Sequence, residues 1–106
     1  MVNNCLTFPI FFSNVYTVGN NGRYYSVCVK SAFKHGYTQE DIERAIETKI
    51  YEDTLKGEDD IYVIIGFDTL ANPIEIFYNI IDDETIKIFH VMELREKIAS
   101  QMNEEV

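Results

Sequence analysis

Between residues 85 and 102 the apolar positions of the chain change their period. The run TIKIFH alternates, which places Ile86 and Ile88 on one face of a strand and Lys87, Phe89 and Val91 on the other. Beyond it, Leu94, Ile98 and Met102 recur every fourth residue, so a helix follows with one apolar side, and Glu93, Glu96 and Lys97 fall elsewhere around it. Upstream, residues 61–67 (IYVIIGF) and 73–81 (PIEIFYNII) are nearly continuous apolar runs and read as strands. Glu75 and Asn79 share one parity of the second run and mark it as a solvent-facing side. The links at 68–72 and 82–84 are short, which predicts a three-stranded antiparallel meander ending in the strand at 85–92.

The first part of the chain is patterned differently. Residues 5–12 are apolar and aromatic but contain Pro9, which cannot donate to a ladder, so an edge strand or an extended arm is expected. Two strand-like runs, 15–18 and 23–29, flank Gly19-Asn20-Asn21-Gly22, and Asn-Gly favours the dihedrals of a tight hairpin. In the second run Tyr25, Val27 and Val29 share a face, and Tyr24, Ser26 and Cys28 the other. Gly36 can end a short helical turn, and Thr38 with Asp41 has the spacing of a capping box for the next helix. Ile42, Ala45, Ile46 and Ile50 form the expected buried stripe of that helix. Residues 51–60 are acidic, contain Gly57 and lack a period, so they read as a loop. The whole is an α+β pattern: one compact domain, an antiparallel sheet built from an N-terminal hairpin and the meander, and two main helices.

Composition narrows the classes. The 106 residues suit one core, and 46% hydrophobic with 25% charged residues is a globular composition. A net charge of -9 argues against binding nucleic acid or an anionic membrane through the mean field, so any such contact must be local. No apolar run is long enough to span a bilayer, and the start lacks the basic and apolar regions of a secretory signal, so a cytoplasmic protein is expected. Cys5 and Cys28 show neither metal spacing nor a disulfide framework. The acidic stretches lack calcium-loop spacing and read as solvated loops, and no metal or other cofactor is expected.

Three features in order resemble one family. The run Lys34-His35-Gly36-Tyr37-Thr38, the Gly57-Glu58-Asp59 step before a strand ending Ile65-Gly66-Phe67, and the closing F-H-x-M-x-x-R-x-K pattern from Phe89 to Lys97 are similar to the BrnT-like proteins. That family includes ribonuclease toxins of bacterial toxin-antitoxin pairs and many uncharacterised relatives, with a compact RelE-like fold. The likeness divides the chain into an arm with the start of the hairpin at 1–22 and a BrnT-like domain at 23–106. It implies RNA as a substrate and a small antitoxin as a partner. The basic residues that follow in the closing helix of the better-studied toxins are replaced here by Ile98, Ala99 and Ser100, and Lys30-Ser31-Ala32-Phe33 stands where an aromatic-acidic start is usual.

The residues able to carry that chemistry cluster at the strand-helix join, where His90 sits at the strand's exit and Arg95 and Lys97 lie in the first two helical turns. Metal-independent RNA cleavage needs a base for the 2'-hydroxyl proton, a cation for the transition state and an acid for the leaving 5'-oxygen. His90 and His35 are candidates for base and acid, and Arg95 for the phosphate. Lys34 and Lys97 are candidates to hold neighbouring phosphates, and Tyr78 to stack on a base. Each has a plainer alternative. His90 shares parity with Ile86 and Ile88 and can be a half-buried histidine bonded to a carbonyl; His35 can be a helix-end residue. Arg95 can form a salt bridge around Glu93 or Glu96, and Lys97 can be solvated. The second functional class is a non-catalytic interaction module, which the acidic charge favours. The apolar arm at 8–12, with the hairpin, is a candidate to pair with a second copy of the chain.

Overall fold

The two nearly continuous apolar runs pair at the middle of one sheet, where both faces are covered. The computed structural model describes residues 15–18 and 22–104, with side chains from residue 26 onward. The strands are β1 (Val15–Val18), β2 (Gly22–Cys28), β3 (Tyr51–Thr54), β4 (Tyr62–Phe67), β5 (Pro73–Asp82) and β6 (Thr85–Glu93), in the spatial order β1-β2-β6-β5-β4-β3. Among the described residues two α-helices, α1 (Gln39–Glu47) and α2 (Glu96–Glu104), lie on opposite faces, and a 3-10 turn spans Lys30–Phe33. Ile64, Ile74, Ile76, Ile86 and Ile88 face α1, whereas Val63, Ile65 and Phe77 face α2. Because β4 buries both faces, its sequence is continuous rather than alternating, and each isoleucine there contributes about 2 kcal/mol. The protein is a compact α+β domain. Among the described residues no helix is long and apolar enough to cross a membrane.

The meander β4-β5-β6 is antiparallel throughout, as the short links imply. The sheet as a whole is mixed, which corrects the antiparallel expectation: β2 joins β6 in parallel, Tyr25 opposite Thr85 and Cys28 opposite Ile88. A partner so far away in sequence leaves no local signal. Residues 51–54 are a second correction, since they form strand β3 on β4 and not a loop. Their acidic side chains suit an edge: Asp53 and Thr54 are exposed, and charge on an edge strand discourages pairing with another chain. Glu52 instead turns inward, accepting from the Tyr78 hydroxyl at 2.6 Å and from Lys49 Nζ at 2.7 Å. β1 pairs antiparallel with β2. The Gly19-Asn20-Asn21 turn residues and the arm, with its proposed pairing to a second copy, lie outside the described residues.

Helix α1 starts where the capping box indicates. Thr38 accepts from the Asp41 amide, and the Asp41 carboxylate accepts from the Thr38 amide at 3.0 Å. Its other oxygen accepts from the Thr69 amide and hydroxyl, at 3.0 and 2.7 Å, tying the helix to the β4-β5 turn. Ile42, Ala45 and Ile46 are buried as expected, but Ile50 is 56% exposed because the helix has already ended. α1 packs closely over Gly66, where an added Cβ would stand 1.9 Å from the Ala45 carbonyl oxygen. After the 3-10 turn, Gly36 adopts a φ of 91°, the left-handed region that glycine enters without a Cβ clash.

The four hydrogen bonds on Asp41 predict an acid-sensitive clamp. Burial alone would raise its pKa, but the bonds from Thr38 and Thr69 outweigh burial and bring it down to about 2. A depressed carboxyl stabilises the fold above its unfolded pKa, and that stabilisation is lost as pH falls through the folded value. Asp41→Ala is expected to cost about 1 to 2 kcal/mol at neutral pH, and less in acid, by urea unfolding. A variant as stable as the wild type at neutral pH would show that the clamp contributes nothing.

Candidate functional site

An irregularity in β6 creates the site. His90 pairs with Phe77 and Ile88 with Tyr78, so Phe89 is the extra residue of a β-bulge. The bulge interrupts the period of two. Phe89 and His90 therefore both face α2, and Val91 returns to the α1 face with Ile86 and Ile88. This corrects two expectations, the shared parity of His90 with Ile86 and Ile88, and the grouping of Val91 with Phe89. The His90 ring stacks on Phe77 with centroids 4.3 Å apart, and the Arg95 guanidinium carbon lies 5.9 Å from the same phenyl centroid.

Glu75 joins these groups. It is not on a solvent-facing side, as its place among apolar residues first suggests, but fully buried at 0% exposure under α2. One carboxylate oxygen accepts from Arg95 Nε at 2.9 Å and Nη2 at 2.6 Å, and it meets His90 Nε2 at 2.9 Å. The other accepts from the Arg95 amide at 2.9 Å. Burial by itself would raise the Glu75 pKa, yet the His90 and Arg95 hydrogen bonds and the Arg95 charge more than offset it, so the carboxyl stays below its ordinary value. Arg95 reaches Glu75 because it precedes α2 rather than lying within its first turn: its carbonyl accepts from the Ile98 and Ala99 amides and opens the helix. Its partner is thus a strand carboxylate, not Glu93 or Glu96.

His35 arrives from the other direction. The 3-10 turn is pinned to β6 by Ser31 Oγ donating to the Phe89 carbonyl at 2.7 Å, and Gly36 donates to the Phe33 carbonyl. These bonds bring the exposed His35 ring edge-on to His90, with centroids 6.1 Å apart. Three of the residues singled out in the sequence, His90, Arg95 and His35, therefore meet. The other three do not join them. Lys34 lines a neighbouring cleft with Lys30, Ser31 and Phe33, and Lys97 lines a different one with Leu55, Lys56 and Glu104. Tyr78 is a core residue on the α1 face, 1% exposed and stacked on Tyr62, so its ring offers no surface to a base.

Sequence reasoning placed Glu75 on a solvent-facing side and gave Phe77 no role. A signal for them existed: Phe77 shares the parity of Glu75, and the Leu94, Ile98 and Met102 stripe requires an apolar face beneath it. A carboxylate on that face must then be buried and paired. The His90 Nε2 contact is to a carboxylate that only accepts, so Nε2 carries the proton and Nδ1 is the unprotonated atom of the neutral ring. The assembly can orient one imidazole, fix one guanidinium and present a second imidazole edge-on to the first. Comparison with protein-family models, curated proteins and solved structures gives no match.

Proposed function

We propose that the protein is a BrnT-like, RelE-like ribonuclease that cleaves single-stranded RNA with its two imidazoles and is held inactive by a small antitoxin. The observation that carries this reading is the edge-on approach of His35 to His90, whose Nε2 is held by buried Glu75. His90 Nδ1 takes the proton of a ribose 2'-hydroxyl, and the oxygen attacks the adjacent phosphorus. Protonated His35 gives its proton to the departing 5'-oxygen as the phosphorus-oxygen bond breaks, leaving a 2',3'-cyclic phosphate and a 5'-hydroxyl. Arg95 Nη1 donates to no described residue and faces the charge that develops on the phosphate oxygens. Proton transfer between two imidazoles gives a bell-shaped dependence of rate on pH.

His35 supplies the cleanest test because it is exposed and outside the Glu75 network. His35→Ala is expected to slow cleavage of a single-stranded RNA by about 100-fold or more, with an unchanged melting temperature. Induced alone in a bacterial host, the wild type is expected to arrest growth and degrade RNA, and the variant not to. Purified wild-type protein that leaves RNA intact from acid to neutral pH, or a His35→Ala variant as fast as the wild type, would remove the catalytic reading. The second reading, a non-catalytic interaction module on the same scaffold, is favoured by one observation: Glu75 already neutralises Arg95 in a chain of net charge -9.

A further inference from the structure

We propose that the cleft beside the imidazole pair, formed by Lys30, Ser31, Phe33 and Lys34, receives an unstacked base of single-stranded RNA on the Phe33 ring, with the flanking phosphates on the two ammonium groups. This rests on the RNA-cleaving reading and extends it to where the strand lies. The cleft is an open depression of about 570 Å³. Its shape follows from the 3-10 turn, in which residues three apart eclipse, so Phe33 stands over Lys30 while Ala32 is buried at 0% exposure against the core. Phe33 is left 36% exposed, an aromatic surface that the α1-face core does not use.

Charge and an aromatic ring coincide here. Lys30 and Lys34 are exposed and form no ion pair with a described residue, whereas Arg44, Lys49, Lys56 and Arg95 are paired with carboxylates; Lys97 is unpaired too, but the cleft it lines has no aromatic side chain. Two unpaired ammonium groups lining one cleft with an aromatic ring suit the phosphates and bases of a single strand, and base stacking on an aromatic ring is tolerant of sequence. Duplex RNA keeps its bases stacked internally and does not present that alternation. Continuity with the imidazoles is also built in. The Ser31 bond to the Phe89 carbonyl fixes the cleft floor to the residue next to His90, and Lys34 is followed directly by His35. A strand seated on Phe33 therefore lies next to the imidazole pair.

Binding is read separately from cleavage by using a short, fluorescently labelled strand carrying 2'-O-methyl groups throughout, which lacks the attacking hydroxyl. Anisotropy at low salt is expected to show binding by the wild type, about tenfold or greater weakening in Phe33→Ala, and recovery in Phe33→Tyr. Lys34→Ala is expected to reduce the slope of log affinity against log salt by about 0.7, the value for one phosphate contact on a single strand. Both positions are at the surface, so circular dichroism melting serves as the control for folding. Wild-type protein that fails to bind the strand overturns the proposal, and so do Phe33→Ala and Lys34→Ala variants that bind as tightly as wild type. In that last case, His35-dependent cleavage of unmodified RNA would leave the catalytic reading standing and remove the cleft alone. Phe33-dependent binding without cleavage of unmodified RNA would sustain the cleft and remove the catalytic reading. Unchanged RNA affinity with loss of a protein complex in Phe33→Ala would assign the surface to a protein instead and overturn the proposal.

Discussion

Gly66→Ala is expected to lower stability by about 3 kcal/mol or more. The alanine Cβ would lie 1.9 Å from the Ala45 oxygen, 2.7 Å from its carbonyl carbon and 2.9 Å from its Cα. All three are backbone atoms of α1, so no side chain can rotate away. Relief requires the helix to lift from β4, which opens the packing of Ile42, Ala45 and Ile46 against the sheet, or requires β4 to bend and strain its pairing with β5. Close-packed interiors do not absorb such a shift cheaply. Urea unfolding of the wild type and the variant gives the difference directly. A change within about 0.5 kcal/mol, the range of ordinary surface substitutions, would mean that α1 sits farther from the sheet than described.

Glu75→Gln is expected to be nearly as costly, at about 3 kcal/mol and a fall in melting temperature on the order of 15 °C. Glutamine preserves the volume, so the cost is electrostatic. Donors approach both carboxylate oxygens, from Arg95 Nε, Arg95 Nη2 and His90 on one side and the Arg95 amide on the other. An amide offers one acceptor oxygen and turns an NH2 toward the remaining donors, whichever way it is placed. Arg95 is 36% exposed and recovers some hydration, which keeps the loss from being larger. The pH dependence identifies the cause. Because the folded pKa of Glu75 is depressed, its contribution is fully present above the ordinary glutamate value of about 4.3 and is lost as pH falls through the folded value. The stability gap between wild type and variant is therefore expected to shrink in acid. Asp41 titrates in both proteins and cancels from the difference. A gap of the same size at neutral pH and at about pH 3 would show that the effect is packing and not charge.

Where the physics is local, the sequence already shows the structure. The capping box at Thr38 and Asp41 marks the start of α1, and continuous apolar runs joined by short links mark the meander. Where a distant partner decides, the sequence shows less. Residues 51–54 carry a composition suited to a loop, and only the edge of β4 makes them a strand. The gathering of His90 and Arg95 follows from their spacing around the strand-helix join, yet the face on which His90 sits depends on one extra residue in β6 that alternation cannot reveal. Glu75 is the sharpest case. Its parity is legible, but whether that parity meets water depends on which face α2 covers, and the clue lay in the otherwise unused apolar stripe of that helix.

The parallel seam between β2 and β6 sets an order of events during synthesis. Tyr25 lies opposite Thr85, so roughly 60 residues must leave the ribosome after β2 before its partner exists. For that interval the inner edge of β2 presents unpaired amides and carbonyls, while β4 and β5 are already able to zip together across a short link. The sheet is therefore expected to close from its centre outward, with β1 and β2 joining last on that side although they are made before β3 to β6. In a crowded polysome the exposed edge of β2 is the segment a holding chaperone would shield, and slowing translation between β2 and β6 would lengthen its exposure without changing the finished fold.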